Sequence, residues 1–375
     1  MLPYCYFSML PSLLSSTFGL LSRNQDIYLD HDESANVLPF DFTKFISVAW
    51  NSYISCENTL PSQLAIACFN ALWLMLFISW FPCYVVKPFI NRCTMKEQYI
   101  TLNQKSLKSA LGVVMTRDQT YDLAAEIISI LMQHIIGGLL CVPAVFQIPM
   151  FSPSAAAALA RHGALLEVGW ELQDTFVRMY RVLFGGMDGR AANPRALLIF
   201  MALHHSMGLM LVMPMNILYG ELHAYHELVF LLQSAAAVGL LSQQWGYTLD
   251  MSSSMGLWKA KCLFMLTWVV MVYGRLLRYA FVCMRIIFHI SANGQPVLFG
   301  FAVVVTVMMS LVNMVFIGDI TEKVCKFVPM SIVVQPNTQK KLLRKSSSFR
   351  HIRPLDSLCL RRANSFKHVT HSPFA

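Results

Sequence analysis

Long apolar blocks alternate with short polar loops along this chain, a pattern typical of helices that cross a membrane. The blocks are about 20 residues or longer, which is the length that an α-helix needs to span the hydrocarbon core. The pattern predicts an all-α, polytopic membrane helical bundle of about seven transmembrane helices. The predicted spans are residues 64–86, 123–148, 155–184, 196–217, 222–245, 260–284 and 297–317.

Lys and Arg residues are distributed unevenly over the predicted loops, and this bias orients the bundle. Loops 149–154 and 218–221 carry none, and 285–296 carries only Arg285. Because basic residues collect in cytoplasmic loops, the sequence predicts an N-terminus that is outside or luminal and a cytoplasmic C-terminus. The basic residues assigned to the cytoplasmic loops are Lys87, Arg92, Lys96, Lys105, Lys108, Arg117, Arg190, Arg195, Lys259 and Lys261.

The remaining segments divide the chain into four regions. Residues 1–63 form an exposed N-terminal region. Its first 21 residues favour an interfacial segment or a poor signal sequence over the alternative of a full membrane span. Residues 64–119 hold the first transmembrane helix and a basic cytoplasmic loop, and residues 120–317 form a six-helix membrane domain. Residues 318–375 are basic and rich in serine, so we expect a disordered cytoplasmic tail.

Composition excludes several classes of protein. With 56 % hydrophobic and 13 % charged residues, the chain is too apolar for an ordinary soluble domain. The net charge of +9 does not indicate a nucleic-acid partner, because the basic residues flank the spans or lie in the tail. Ser347 and Ser365 follow basic residues and suit basophilic kinases, although the tail is equally well interpreted as a solvated segment. Membrane lipid is the expected partner, and the oligomeric state is left open.

Four charged residues on the third span share one helical face. Glu167, Glu171, Asp174 and Arg178 are separated by four, three and four residues, which places them on one side of a helix. Carboxylates at membrane depth do not face lipid, so this face lines the bundle interior or a watery cavity. The alternative is that it only ties helices together.

Two adjacent histidines, His204 and His205, lie on the fourth span. Adjacent helical residues diverge by about 100°, so one ring can face the acidic face while the other bonds a neighbouring helix. Ionisable residues inside a membrane indicate a functional site. Gly208, one turn after His204, leaves room for a group to approach that ring.

Further polar residues lie on the later spans. Arg275 and Arg278 are three residues apart, so we expect them to share a helical face. Their expected surroundings are the acidic face, a lipid phosphate or the outer interface. His223 and His226 can share a face, but no His-x-x-His-His cluster is present. The sequence therefore predicts no metal, and the ten cysteines show no zinc spacing and predict no disulfide framework.

The run LHHSMGLMLVMPMN over residues 203–216 resembles the His-His signature of the TLC (TRAM–LAG1–CLN8) membrane family, which includes the ceramide synthases. In that family an Asn often closes the segment and an acidic dyad follows about one helix later. The preceding Glu171-Leu-Gln-Asp174 fits the polar helix that the family places before the pair. The resemblance covers about residues 120–317.

The resemblance implies a site and a reaction. Ceramide synthases transfer an acyl group from acyl-CoA to a sphingoid amine, so the resemblance implies His204 and His205 as catalytic residues, acyl-CoA as co-substrate, no other cofactor, and a multi-pass protein of the endoplasmic reticulum or a related endomembrane. Where the family has acids, this chain has Gln233, which can orient a histidine but cannot hold a proton. The residues expected to bind substrate are Glu171, Asp174, Asn216, Gln233, Arg275 and Arg278.

Three functions are compatible with these features. The first is a lipid enzyme, most plausibly an N-acyltransferase acting at His204. The second is a non-catalytic protein that binds lipid or regulates membrane composition, which Gln233 favours. The third is a seven-helix receptor, but Arg178-Met-Tyr-Arg181 is not an acidic-Arg-Tyr triplet and the last span lacks Asn-Pro-x-x-Tyr.

Overall fold

A computed structural model describes residues 56–111 and 115–330, and every regular element within these ranges is helical. Six helical runs in these ranges are long and apolar enough to cross a membrane. The predicted class, a helical membrane bundle, is therefore confirmed at this level. The predictions for residues 1–21 and for Ser347 and Ser365 lie outside the described residues.

Eleven helices make up the described part of the chain, and two π-helical turns join some of them. Pro82–Val86 connects the first helix to the second, and Tyr273–Leu277 connects the ninth to the tenth. The helices are α1 Leu60–Phe81, α2 Lys87–Arg92, α3 Lys96–Leu111, α4 Arg117–Val145, α5 Pro153–Phe184, α6 Gly186–Ala192, α7 Arg195–Tyr219, α8 His223–Gly246, α9 Ser254–Val272, α10 Arg278–Ala292 and α11 Pro296–Phe327.

The predicted third span, residues 155–184, lies in α5 but is not among the six membrane-length apolar runs. Helix α5 is 32 residues long, so its polarity and not its length sets it apart. Its start is fixed locally: the Ser152 hydroxyl accepts a bond from the Ala155 N–H, and Pro153 occupies the first turn. The polar helix is tolerated because neighbouring helices cover it.

Helix α5 packs along α1, α4 and α7. Small residues on its buried side, including Ala156, Ala160 and Ala164, let these helices approach closely. At Gly169 a β-carbon would overlap Asn70 of α1, so this contact requires glycine. The polar side chains of α5 are therefore held inside the bundle.

Two segments predicted to lie outside the membrane spans are helical in the structure. Both segments are polar, so no long apolar block marks them in the sequence. The expected loop after the first span contains α2 and α3, and α3 buries Tyr99 and Ile100 while its other face stays polar. Burial also raises the pKa of the Tyr99 phenol above its usual value. At the other end, α11 continues past the predicted limit at residue 317 to Phe327, and an ion pair of 2.6 Å joins Lys323 to Asp319.

Candidate functional site

A cavity of about 1160 Å³ runs through the bundle between the long helices. Most of its wall is apolar, with Met75 from α1, Ile130 from α4, Leu211 from α7 and Met271 from α9 among the lining residues. Charged side chains also line it, including Lys87, Asp122, Glu126, Arg178, Arg181, Asp319 and Lys323. Such a volume is large enough for a ligand of more than drug size.

Five polar side chains from four helices meet in this cavity and form what we call the polar cluster. It consists of His134 from α4, Glu167 and Glu171 from α5, His204 from α7 and Gln233 from α8. A cluster assembled from four helices requires the tertiary packing of the bundle. The polar cluster is the best candidate for chemistry or recognition in the described part of the chain.

Glu167 is fixed by two amide groups. Its Oε2 atom accepts bonds from Nε2 of Gln133 at 2.7 Å and from Nε2 of Gln233 at 2.8 Å. The Oε1 atom of Gln233 lies 2.6 Å from Nδ1 of His134, which is also 3.4 Å from Glu167 Oε2. Because an amide oxygen only accepts, Nδ1 of His134 carries the proton in this arrangement. Gln233 thus orients a histidine, but on α4 rather than α7.

Glu171 occupies a different environment from Glu167. It is 4 % exposed, and its Oε2 atom has no hydrogen-bond partner among residues 56–111 and 115–330. A β-carbon at Gly208 would overlap the Glu171 carboxylate. The space that Gly208 leaves open is thus used by Glu171, which reaches across from α5 to α7. The closest ligand atoms of Glu167, Glu171 and His204 all lie within 4.8 Å of one another.

The two adjacent histidines of α7 have separate surroundings. His204 lines the cavity, whereas His205 is not among the lining residues. Nδ1 of His205 lies 2.7 Å from the Thr175 hydroxyl, and its Nε2 is 3.6 Å from Asp174, too far for a hydrogen bond. Asp174 lines the cavity and accepts a bond of 2.6 Å from Nε of Arg178. His205 therefore faces α5 away from the polar cluster.

The two predicted arginines of the sixth span also separate. Arg275, which lines the cavity, donates to Oδ1 of Asn313 at 2.9 Å and to the carbonyl of Leu232 at 3.1 Å. Arg278 does not line the cavity, and donates to both oxygens of Glu227 at 2.5 and 3.0 Å. Neither arginine has a hydrogen-bond partner on α5 within the described residues.

Asn216 lies outside the cavity. It is completely buried, and its Nδ2 donates to Oε1 of Gln63 at 3.0 Å and to the Arg161 carbonyl at 3.3 Å. These bonds join α1, α5 and α7. The structure therefore places Asn216 in a helix–helix contact, separate from the residues of the polar cluster.

Sequence reasoning did not select His134, Gln133 or Asn313 as site residues. His134 carries a recognisable signal, since the apolar stretch from residue 127 to residue 145 contains no Asp, Glu, Lys or Arg and no other His. Gln133 and Asn313 carry weaker signals, because amides are common in membrane helices as interhelical bonds. Gln133 and Asn313 bond to residues on other helices, Glu167 and Arg275. Residue spacing along one helix does not specify which helices pack together.

No protein-family model, curated protein or solved structure matches this chain.

Proposed function

We propose that this chain is a membrane protein that binds a long-chain lipid in the cavity, with the lipid headgroup at the polar cluster. The observation that carries the proposal is a cavity with mainly apolar walls into which four helices bring the polar cluster. The apolar walls resemble the hydrocarbon interior of the bilayer, so lipid chains can enter the cavity from the membrane at little cost in free energy. The polar cluster gives a headgroup the hydrogen-bond partners that the bilayer interior lacks.

The headgroup chemistry follows from the donors and acceptors of the polar cluster. Glu167 and Glu171 accept hydrogen bonds, and Oε2 of Glu171 has no protein donor within the described ranges. A buried acceptor of this kind favours a ligand that brings its own donor. An amine or hydroxyl headgroup, as on a long-chain amino alcohol, supplies it.

The proposed topology has α5 as a seventh span, an N-terminus outside or in a lumen and a cytoplasmic C-terminus. Its support is the charge bias of the loops together with the burial of α5 among α1, α4 and α7. In this orientation the end of the cavity lined by Lys87, Arg181 and Lys323 faces the cytoplasm. We assign the protein to the endoplasmic reticulum or a related endomembrane on the resemblance of residues 203–216 to the TLC family.

A second candidate function is acyl transfer, which the position of His204 beside two carboxylates favours. In this reaction a lipid amine attacks the thioester carbonyl of acyl-CoA, so that a C–N bond forms and the C–S bond breaks. His204 takes the amine proton and returns a proton to the thiolate that leaves. Asp174 and Arg178 form an ion pair with each other on the cavity wall. The proton transfer is therefore assigned to His204, with Glu167 and Glu171 beside it.

Mass spectrometry of lipids that remain bound to purified full-length protein tests the first proposal. We expect a long-chain lipid in near-stoichiometric amount, and several-fold less of it in His204→Ala and Glu171→Gln. The matched control is His289→Ala, because His289 is exposed and does not line the cavity. An absence of enriched lipid in the unaltered protein would overturn the proposal, and turnover of acyl-CoA with an amino lipid decides the second candidate.

A further inference from the structure

Three side chains with metal-binding atoms converge inside the cavity. The closest ligand atoms of Glu167, Glu171 and His204 lie within 4.8 Å of one another. Oxygen and nitrogen ligands sit about 2.0–2.2 Å from a zinc ion, so ligands of one ion are separated by up to about 4 Å. Small side-chain rotations bring the three atoms to this spacing.

The charge of this group matches a divalent cation. Two carboxylates at membrane depth repel each other and lose their hydration, so they are stable only when their charge is compensated. A dication bound by Glu167, Glu171 and a neutral His204 gives a group with no net charge. Arg275 does not perform this role by direct bonding, because its hydrogen bonds go to Asn313 and Leu232.

Glu171 provides an independent sign of a ligand. Its Oε2 atom is buried without a hydrogen-bond partner in the described parts of the chain, and the residue is 4 % exposed. Gly208 leaves the space that the carboxylate occupies, so a larger side chain on α7 would displace it. An acceptor held in such a place is satisfied from outside the protein, by a hydrogen-bond donor such as water or by a cation.

The surroundings of Glu167 resemble those of a metal-binding carboxylate. Both amide bonds, from Gln133 and Gln233, end on Oε2, and Gln233 is itself held by His134. Hydrogen bonds of this type orient a carboxylate and leave its other oxygen for the metal. The cavity offers a route by which an ion reaches the group.

We propose that Glu167, Glu171 and His204 bind a first-row divalent transition metal ion, for which Zn²⁺ is the probe. Mixed imidazole and carboxylate ligands suit zinc, and three protein ligands leave a position open toward the cavity. The sequence prediction of no metal rested on histidine clusters and cysteine spacing, and did not combine the two glutamates of α5 with His204 of α7. The proposal goes beyond lipid binding, since in the metal-bound protein the ion, and not a headgroup donor, contacts the Glu171 carboxylate. When the metal is bound, His204 is a ligand and not a base.

The metal content of full-length protein tests the proposal. The protein is purified in detergent through a tag without histidine, and zinc is measured by mass spectrometry and by titration against a chelator of known affinity. We expect about one Zn²⁺ per chain, and zinc binding at least 10-fold weaker in Glu167→Gln, Glu171→Gln and His204→Ala. Glu126→Gln is the matched control, because Glu126 lines the same cavity and pairs with Arg181.

A second measurement on unaltered protein guards against variants that fail to fold. X-ray absorption of the zinc-loaded protein should show only nitrogen and oxygen neighbours at about 2.0–2.1 Å. A sulfur neighbour would overturn the proposal, since it would move zinc to a cysteine such as Cys83, which also lines the cavity. Absence of zinc uptake, or equal uptake by all variants, would also overturn it. Lipid content of the same samples is scored separately, so either proposal can fail while the other stands.

Discussion

The carboxylate of Glu171 lies against the backbone of Gly208, in the space that a β-carbon would fill. This contact joins α5 to α7 inside the cavity, beside His204. The position of the buried Glu171 carboxylate therefore depends on the absence of a side chain at Gly208 of α7.

Replacement of Gly208 by alanine should displace the Glu171 carboxylate. The added β-carbon would overlap only the far end of this flexible side chain, which can turn into the cavity, so the cost in stability should be small. We expect bound lipid to decrease several-fold, with little change in the Tm of thermal unfolding in detergent. Gly300→Ala is the control, because nothing lies within 4 Å of its added β-carbon. Unchanged lipid content in Gly208→Ala would contradict the contact.

His204→Ala and His205→Ala should have different effects, although the residues are adjacent. His204 lines the cavity, so its loss should reduce bound lipid several-fold with little change in Tm. His205 is buried against Thr175, so its loss should cost about 1 kcal/mol of stability and leave bound lipid near normal. Lipid mass spectrometry and thermal unfolding of both variants separate these effects. Equal loss of lipid in both would contradict the separation and favour the joint role that the family resemblance implies.

Gln233→Glu should lower the free energy of unfolding of the protein, although it places an acid where the TLC family has one. Nε2 of Gln233 donates to Glu167 at 2.8 Å, and a carboxylate would replace that donor with an acceptor of like charge. A buried polar group left unsatisfied costs about 1–3 kcal/mol, which chemical denaturation can measure.

Gln243→Glu is the control for this substitution. Nε2 of Gln243 donates to the hydroxyls of Ser106 and Tyr247, and both hydroxyls can turn to donate to a carboxylate instead. We expect its stability to change by less than that of Gln233→Glu. A Gln233→Glu protein as stable as the unaltered chain would show that the amide bond to Glu167 is dispensable.

The Arg278–Glu227 pair should show strong coupling in a double-mutant cycle. Arg278→Ala leaves Glu227 buried without its cation, and breaking a buried pair costs about 3–5 kcal/mol. Because the Arg278 side chain is 33 % exposed, we expect a value near or below the lower end of that range. Arg278→Ala combined with Glu227→Ala should be less destabilised than the sum of the single variants. Additive losses would contradict a direct interaction.

The helical membrane class was predictable because apolar blocks of sufficient length have few alternative structures. The shared face of Glu167, Glu171 and Asp174 was also predictable, since one helix period determines it. The count of seven spans stays a prediction, because α5 is polar and its burial depends on its neighbours. Apolar length alone does not reveal a membrane helix that other helices cover.

The composition of the polar cluster was less predictable. His134 and Gln233 are 99 residues apart, and their contact exists because α4 packs against α8. Arg275 and Arg278 were expected to share a face, but a π-helical turn separates their directions. Spacing rules assume a constant helical period, so they fail where the period changes.

The π-helical turn Tyr273–Leu277 changes the direction in which side chains point along a continuous helical run of 39 residues. One additional residue in a turn rotates everything that follows by about 100°. The π-helical turn therefore sets which side of the 15-residue α10 faces the bundle, where Tyr279, Val282 and Ile286 are buried. The same rotation directs Arg278 toward Glu227.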